Sequence, residues 1–487
     1  MVFHIKNRNM LLMVLYATFL VAYIDQFASG TVGIVISYLI FMTVATISVF
    51  SIKGAVSALL IFSFTIPENS RTLVGNIDAI SQNFFTFRSI TFSGIGLSQW
   101  SIIVIVIAIL ARVLLGRTKF DVSRAQKKVL AILLFLTVVL LTVTAVDTAL
   151  TREYFSYRYF VSDIRSPLIL LFGIIVGIYI KNEGESFLQS LITIIFFVAL
   201  VNGLKTILFL SLDYINSDFK LSYSTEPYLQ IPLIFAYLYS GKDRVHRKLL
   251  ISMLIFFGGF NIARGDMIYF MIEIILLGYL LIRDRSSTNP HRIKSAIIFL
   301  FSITLLPIFI LQNFNPRAYK FLIYKMDFFS KELSTNQYSF SPKVRIYEFL
   351  NITNEAIDTV YPLLVGRGYG SYFTFENVPF PSRLGLSDYS AHQLNENKYY
   401  KPHTFINYFL LKGGIVYLSL YILLLLSMFT RATRMVTHAD GKEQLAISFA
   451  VFFTIFALNM YWLPRYSFLY GLLYSLLPAT ITESDRS

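Results

Sequence analysis

The 487-residue chain is 55% hydrophobic and 16% aromatic but only 14% charged, with a mean hydropathy of +0.62, which excludes a soluble multi-domain protein whose surface must be covered by charge. Its net charge of +14 does not mark a nucleic-acid partner, because the basic residues gather in short connectors between apolar blocks and not in one stripe or arm. There is no cysteine, so disulfides, thiolate nucleophiles and Cys-ligated metals are excluded together.

The apolar blocks, about 15 to 24 residues each, predict helices that cross a bilayer repeatedly. The first runs from Leu11 to Ile24 behind His4, Lys6 and Arg8 and reads as a retained signal-anchor helix in preference to a cleaved signal peptide. Further spans are expected near residues 31–50, 54–66, 98–116, 128–146, 167–180, 188–210, 227–240, 248–263, 266–282, 295–312, 403–429, 443–462 and 464–480. The expected fold class is an all-α integral membrane protein of about 14 transmembrane helices. It divides into a transmembrane bundle over residues 1–312, a large outward loop over 313–402 and C-terminal transmembrane helices over 403–487.

Basic residues mark the side that stays in the cytoplasm. With the N-terminus inside, Lys53, the group from Arg112 to Lys128, Lys181, the group from Lys242 to Lys248, Arg283 to Lys294, and Arg431, Arg434 and Lys442 all fall inside. The opposite connectors are mixed or acidic, and the long loop lies among them. One of these carries Arg152, Arg158 and Arg165 among Tyr154, Tyr157 and Tyr159, an outward basic and aromatic patch. Another is the turn Asn261-Ile262-Ala263-Arg264-Gly265-Asp266, where two spans meet with almost no connector. Charge at that depth has a partner or a task, so Arg264 and Asp266 either pair with each other or serve a site.

The loop is roughly ninety residues of polar and aromatic sequence, too long to be idle. Ser341-Pro342 predicts a helix start and Tyr361-Pro362 its end. Between them Ile346, Phe349, Leu350, Ile357 and Val360 recur at helical spacing, an amphipathic pattern that can lie on a membrane or on other helices. Arg345 and Glu348, three apart, are either a solvated ion pair or part of a site. The glycines of Gly366-Arg367-Gly368-Tyr369-Gly370 lack the Lys-Ser/Thr of a nucleotide loop and predict a tight turn with close backbone packing. Tyr372, Phe373, Phe375, Tyr389, Tyr399 and Tyr400 suit stacking on sugar rings and equally suit an interfacial belt. The loop closes at His403, which shares a helix face with Asn407 and is either an interfacial anchor or a general base.

The order of several of these features resembles the bacterial O-antigen polymerase and O-antigen ligase superfamily of polytopic glycosyltransferases. They are Ala263-Arg264-Gly265 at a span junction; Arg345 followed by Phe349; Pro362-Leu363-Leu364-Val365-Gly366 with Gly368-Tyr369-Gly370; and His403 opening a span, with Gly413-Gly414-Ile415 further along it. The likeness covers roughly residues 250–430, and the first half matches only as a series of spans. Where the family often has Asn directly after the His, this chain has Thr404, with Asn407 one turn later.

The resemblance implies transfer of a glycan from an undecaprenyl-pyrophosphate donor to a sugar hydroxyl, at the periplasmic face of the bacterial inner membrane, without metal or other cofactor. Arg264 and Arg345 are then candidates for a pyrophosphate clamp and His403 for the base, with Glu348 or Asp266 as substitutes. Arg158, Arg165, Asp266, Arg367 and Asn407 are candidates for substrate binding. The expected partners are the bilayer, the lipid-linked oligosaccharide, the glycan acceptor and a chain-length regulator, with no nucleic acid. Polymerase is the first expectation; a ligase joining polymer to lipid A-core and a lipid-linked oligosaccharide flippase are the alternatives.

Overall fold

A computed structural model of the protein describes residues 15–21, 30–65, 91–92, 95–116, 120–151, 156–183, 187–216, 227–239, 272–280, 309, 312–313, 340–357, 360–379, 389, 391–436, 441–460 and 464–477. It is an all-α membrane protein. Among the described residues, besides helical stretches at 15–21 and 272–280, the helices are α1 (Gly30–Phe50), α2 (Ile52–Thr65), α3 (Leu97–Leu114), α4 (Arg124–Thr151), α5 (Tyr157–Asn182), α6 (Phe187–Asn216), α7 (Pro227–Tyr239), α8 (Phe340–Ile357), α9 (Val360–Val365), α10 (Ala391–Glu396), α11 (Phe405–Val436), α12 (Gly441–Met460) and α13 (Pro464–Leu476). A two-residue antiparallel pair, Thr91–Phe92 with Ile95–Gly96, precedes α3. The β-branched content of segments such as α1 would suit strands in water. In an apolar surround the backbone must satisfy itself within the segment, and the helix wins.

Among the described residues, six helical stretches are long and apolar enough to cross a membrane: Thr31–Phe50, Leu97–Leu114, Gln126–Ala149, Tyr157–Asn182, Phe187–Lys205 and Phe405–Val436. The spans expected near 248–263 and 295–312 lie wholly or largely outside the described residues, and those near 11–24 and 266–282 are described only over 15–21 and 272–280. One boundary departs from expectation. Helix α5 begins at Tyr157, ten residues before the expected span, because Asp163 is neutralised inside the bundle and does not end the helix.

Helices α5 and α13 run parallel in close contact. Gly173 and Gly177 of α5 meet Phe468, Leu472 and Ser475, and Gly471 of α13 meets Leu170 and Ile174; a methyl at Gly173 would stand 2.3 Å from the Phe468 carbonyl oxygen. Small residues that let two backbones approach are the usual means of helix association where lipid removes the hydrophobic drive.

The two ends of the bundle differ. At one, Arg112 Nη2 donates to the carbonyls of Ser48 and Val49 at 3.1 and 2.8 Å, Lys181 Nζ donates to Leu477 O at 2.7 Å, and Lys53 and Arg112 flank Glu183 at 4.0 and 3.9 Å. The other end receives the chain that precedes α11: Ser156 N donates to Gly370 O at 3.0 Å, and Tyr369 N to Thr144 Oγ1 at 2.7 Å. Lys53, Arg112 and Lys181, grouped by the charge pattern of the sequence, therefore share the end opposite the loop.

Candidate active site

Helix α8 turns a polar and apolar mixture inward. Val344, Glu348, Asn351, Ile352 and Ala356 are buried, while Ile346, Phe349 and Leu350 are exposed. The expected apolar stripe thus faces away from the protein body. The inward polar residues all have internal partners: Asn351 Nδ2 donates to Val378 O at 2.9 Å, and its Oδ1 accepts from Val378 N at 2.8 Å. Pro362 does not end this helix. Helix α8 closes at Ile357, and Pro362 lies in the first turn of α9, where a missing amide hydrogen costs nothing.

Glu348, with no exposed surface, is the hub of the site. Its Oε1 accepts from Tyr389 Oη at 2.5 Å and from His403 Nδ1 at 2.6 Å. Its Oε2 accepts from the His403 backbone N at 3.0 Å and from Asn407 Nδ2 at 3.2 Å. An ionised carboxylate only accepts, so Nδ1 carries a hydrogen and the neutral ring has its lone pair at Nε2. The His403 side chain is 29% exposed, against 0% for Glu348. The imidazole is the half of the pair that meets the surroundings.

Of the two readings of Arg345 and Glu348, the solvated ion pair does not form: Glu348 turns inward to His403, and Arg345 is exposed on the flank of α8. The Arg345 backbone still belongs to the site, because its carbonyl accepts from Asn407 Nδ2 at 2.9 Å. Asn407 thus ties the start of α11 to α8, and the His403 backbone amide does the same through Glu348.

The aromatic residues are not a sugar-stacking platform. Tyr372, Phe373, Phe375, Tyr389, Tyr399 and Tyr400 are all at most 9% exposed. Phe373 and Tyr399 exchange backbone hydrogen bonds at 3.1 and 3.0 Å, and the Tyr389 ring stands edge-on to Tyr399 and His403 with centroids 4.5 and 5.0 Å away. Burial pushes the Tyr399 and Tyr400 hydroxyls above the usual phenol range, so they are neutral donors. This small core fixes the position of Tyr389 and so of Glu348.

The glycine run docks where α11 is broken. Gly414 has φ +62°, and the carbonyls of Leu411 and Lys412 are met by the amides of Arg367 and Gly368, both at 2.9 Å. Gly366, at φ +74°, approaches so closely that a methyl there would stand 2.3 Å from Gly413 N. Beside the turn, Lys412 Nζ lies 2.8 Å from Asp163 Oδ2 and donates to Ser371 O at 2.6 Å. Asp163 also accepts from Gly370 N at 2.9 Å and Tyr408 Oη at 3.0 Å. Neither Asp163 nor Lys412 was singled out by pattern. The signal for Lys412 was present, as a charge inside an apolar run.

The remaining expected site residues divide. Arg367 Nη1 lies 2.7 Å from Glu355 Oε2, which joins the glycine turn to α8. Arg158 is exposed at the start of α5, next to Tyr159, whose ring stacks on Tyr400 at 3.8 Å. Arg165, partly buried, follows Asp163 along α5. Arg264 and Asp266 lie outside the described residues. Among the described residues, no group of three or more His, Asp or Glu is placed to hold a metal ion.

No protein-family model and no curated protein matches this chain.

The arrangement suits proton transfer. A buried anion fixes the tautomer and direction of a part-exposed imidazole and would stabilise the imidazolium that forms when the ring takes a proton.

Proposed function

We propose that this protein is a membrane glycosyltransferase that extends a polysaccharide, moving a glycan from an undecaprenyl-pyrophosphate donor to a sugar hydroxyl at the outer face of a bacterial inner membrane. The observation that supports it most is the Glu348–His403 pair, with His403 Nδ1 2.6 Å from a fully buried carboxylate at the point where α11 begins. The acceptor oxygen attacks the anomeric carbon as its proton passes to His403 Nε2. The bond from that carbon to the pyrophosphate oxygen breaks, and the pyrophosphate leaves with the electron pair. Arg345, exposed beside the pair, meets the charge that grows on it, and Arg264 is the second guanidinium assigned to that task. Glu348 does not touch substrate; it orients the ring.

The test is the surface polysaccharide of the native host. Removing the protein leaves lipid-linked single repeats and no ladder, and a His403→Ala variant present at normal level gives the same result. A general base contributes about 10²- to 10⁴-fold, enough to abolish long chains. Full ladders in that variant exclude His403 as the base. Long polymer stranded on the carrier after removal of the protein would instead indicate a ligase, and single repeats trapped on the cytoplasmic leaflet a flippase.

A further inference from the structure

We infer that Tyr389 is a positioning residue for His403: its hydroxyl, hydrogen-bonded to the same carboxylate oxygen as the imidazole, sets how strongly Glu348 holds the ring. Its relevance to catalysis rests on His403 being the base, but its physical basis does not.

Glu348 Oε1 takes two short hydrogen bonds, 2.5 Å from Tyr389 Oη and 2.6 Å from His403 Nδ1. The phenol and the imidazole thus share one oxygen, to which the His403 backbone amide also reaches at 3.2 Å while donating at 3.0 Å to Oε2. The ring of Tyr389 also stands edge-on to His403, 5.0 Å between centroids at 74°, and is packed by Phe375 and Tyr399. The hydroxyl therefore cannot swing away without moving that core. Negative charge drawn toward the phenol is charge withheld from Nδ1–H. Tyr389 thus limits the stabilisation of the imidazolium and lets the ring return to its neutral, proton-accepting form.

Other charged groups stand on the surrounding elements. On α8, Arg345 is exposed and Glu355 is held by Arg367. Before α11, Glu396 and Lys398 lie on the α10 side, with Lys398 over the Tyr372 ring, and Lys401 precedes Pro402. On α5 stand Arg158, Tyr159, Arg165 and Asp163, the last paired with Lys412 of α11. None of these changes when the Tyr389 hydroxyl alone is altered.

Removing the hydroxyl returns charge to Nδ1–H and stabilises the imidazolium, so in Tyr389→Phe the ring holds its proton to higher pH. Replacing Tyr389 with 3-fluorotyrosine, a more acidic phenol and a stronger donor, does the reverse. The experiment is a pH titration of the ring signals of the full-length, histidine-labelled protein in lipid nanodiscs. The chain has six histidines, and the His403 signal is identified by its loss in His403→Gln. The expected result is a His403 midpoint raised by about half a unit or more in Tyr389→Phe and lowered with fluorotyrosine, the other histidines unmoved. A midpoint that stays in place or moves with the opposite sign, in either protein, overturns the inference. The fluorinated protein keeps the hydroxyl and the ring, so it decides the matter even if Tyr389→Phe fails to fold. If the midpoints move as stated while His403→Gln still makes full ladders, the positioning role stands and the proposed reaction falls.

Discussion

Glu348 has no exposed surface and accepts from the side chains of Tyr389, His403 and Asn407 and from the His403 backbone amide, so it can influence a substrate only through His403. A Glu348→Gln variant keeps the shape but turns an amide NH2 toward donors that need an acceptor. The expected result is loss of the ladder together with a fall in stability of about 1–3 kcal/mol, read from thermal unfolding of the purified protein. Arg345 should behave in the opposite way. It is exposed, so Arg345→Ala should leave unfolding within about 0.5 kcal/mol of the parent while polymer synthesis falls. Arg345→Lys should recover only part of the synthesis, because an ammonium cannot grip two phosphate oxygens in a plane. These residues were visible in the sequence as types and spacings. Their pairing was not: spacing made Arg345 and Glu348 neighbours, whereas burial set Glu348 against a histidine 55 residues away.

At the scale of elements, the site depends on the junction of α5, α11 and the glycine turn. The Asp163–Lys412 pair is 1% and 0% exposed and carries three further hydrogen bonds, to Gly370, Ser371 and Tyr408. Lys412→Met would leave a buried carboxylate without its cation and should cost about 3–5 kcal/mol. Adding Asp163→Asn should recover much of that loss, since a neutral pair has no charge to desolvate. Thermal unfolding of the single and double variants in one detergent measures both. If the single variant were as stable as the parent, the pair would not hold the turn. The turn itself was legible from its glycines. The break in α11 that it satisfies was not, because Gly413 and Gly414 sit in a run that reads as an uninterrupted span, and only the amides of Arg367 and Gly368 explain how the broken turn is satisfied.

At the scale of the whole molecule, apolar blocks told the fold class, and they told helix ends less well, because hydropathy reports lipid and protein surroundings alike. Helix α13, for example, is buried by protein from Tyr466 through Leu476, so its apolar sequence reports a protein surround. The proposed orientation rests on charge: Lys53, Arg112 and Lys181 share one end, the positive-inside rule would place that end in the cytoplasm, and the loop lies at the other end. The absence of native cysteine makes this directly measurable, since any cysteine introduced is the only thiol in the chain. Glu376 and Lys127 are both exposed, the first in the loop and the second at the start of α4. In cells with a permeabilised outer membrane and an intact inner one, Glu376→Cys should react with a membrane-impermeant maleimide. Lys127→Cys should react only after the inner membrane is opened. The reverse pattern would put His403 in the cytoplasm, away from any acceptor glycan outside, and the proposed reaction would have no substrate to act on.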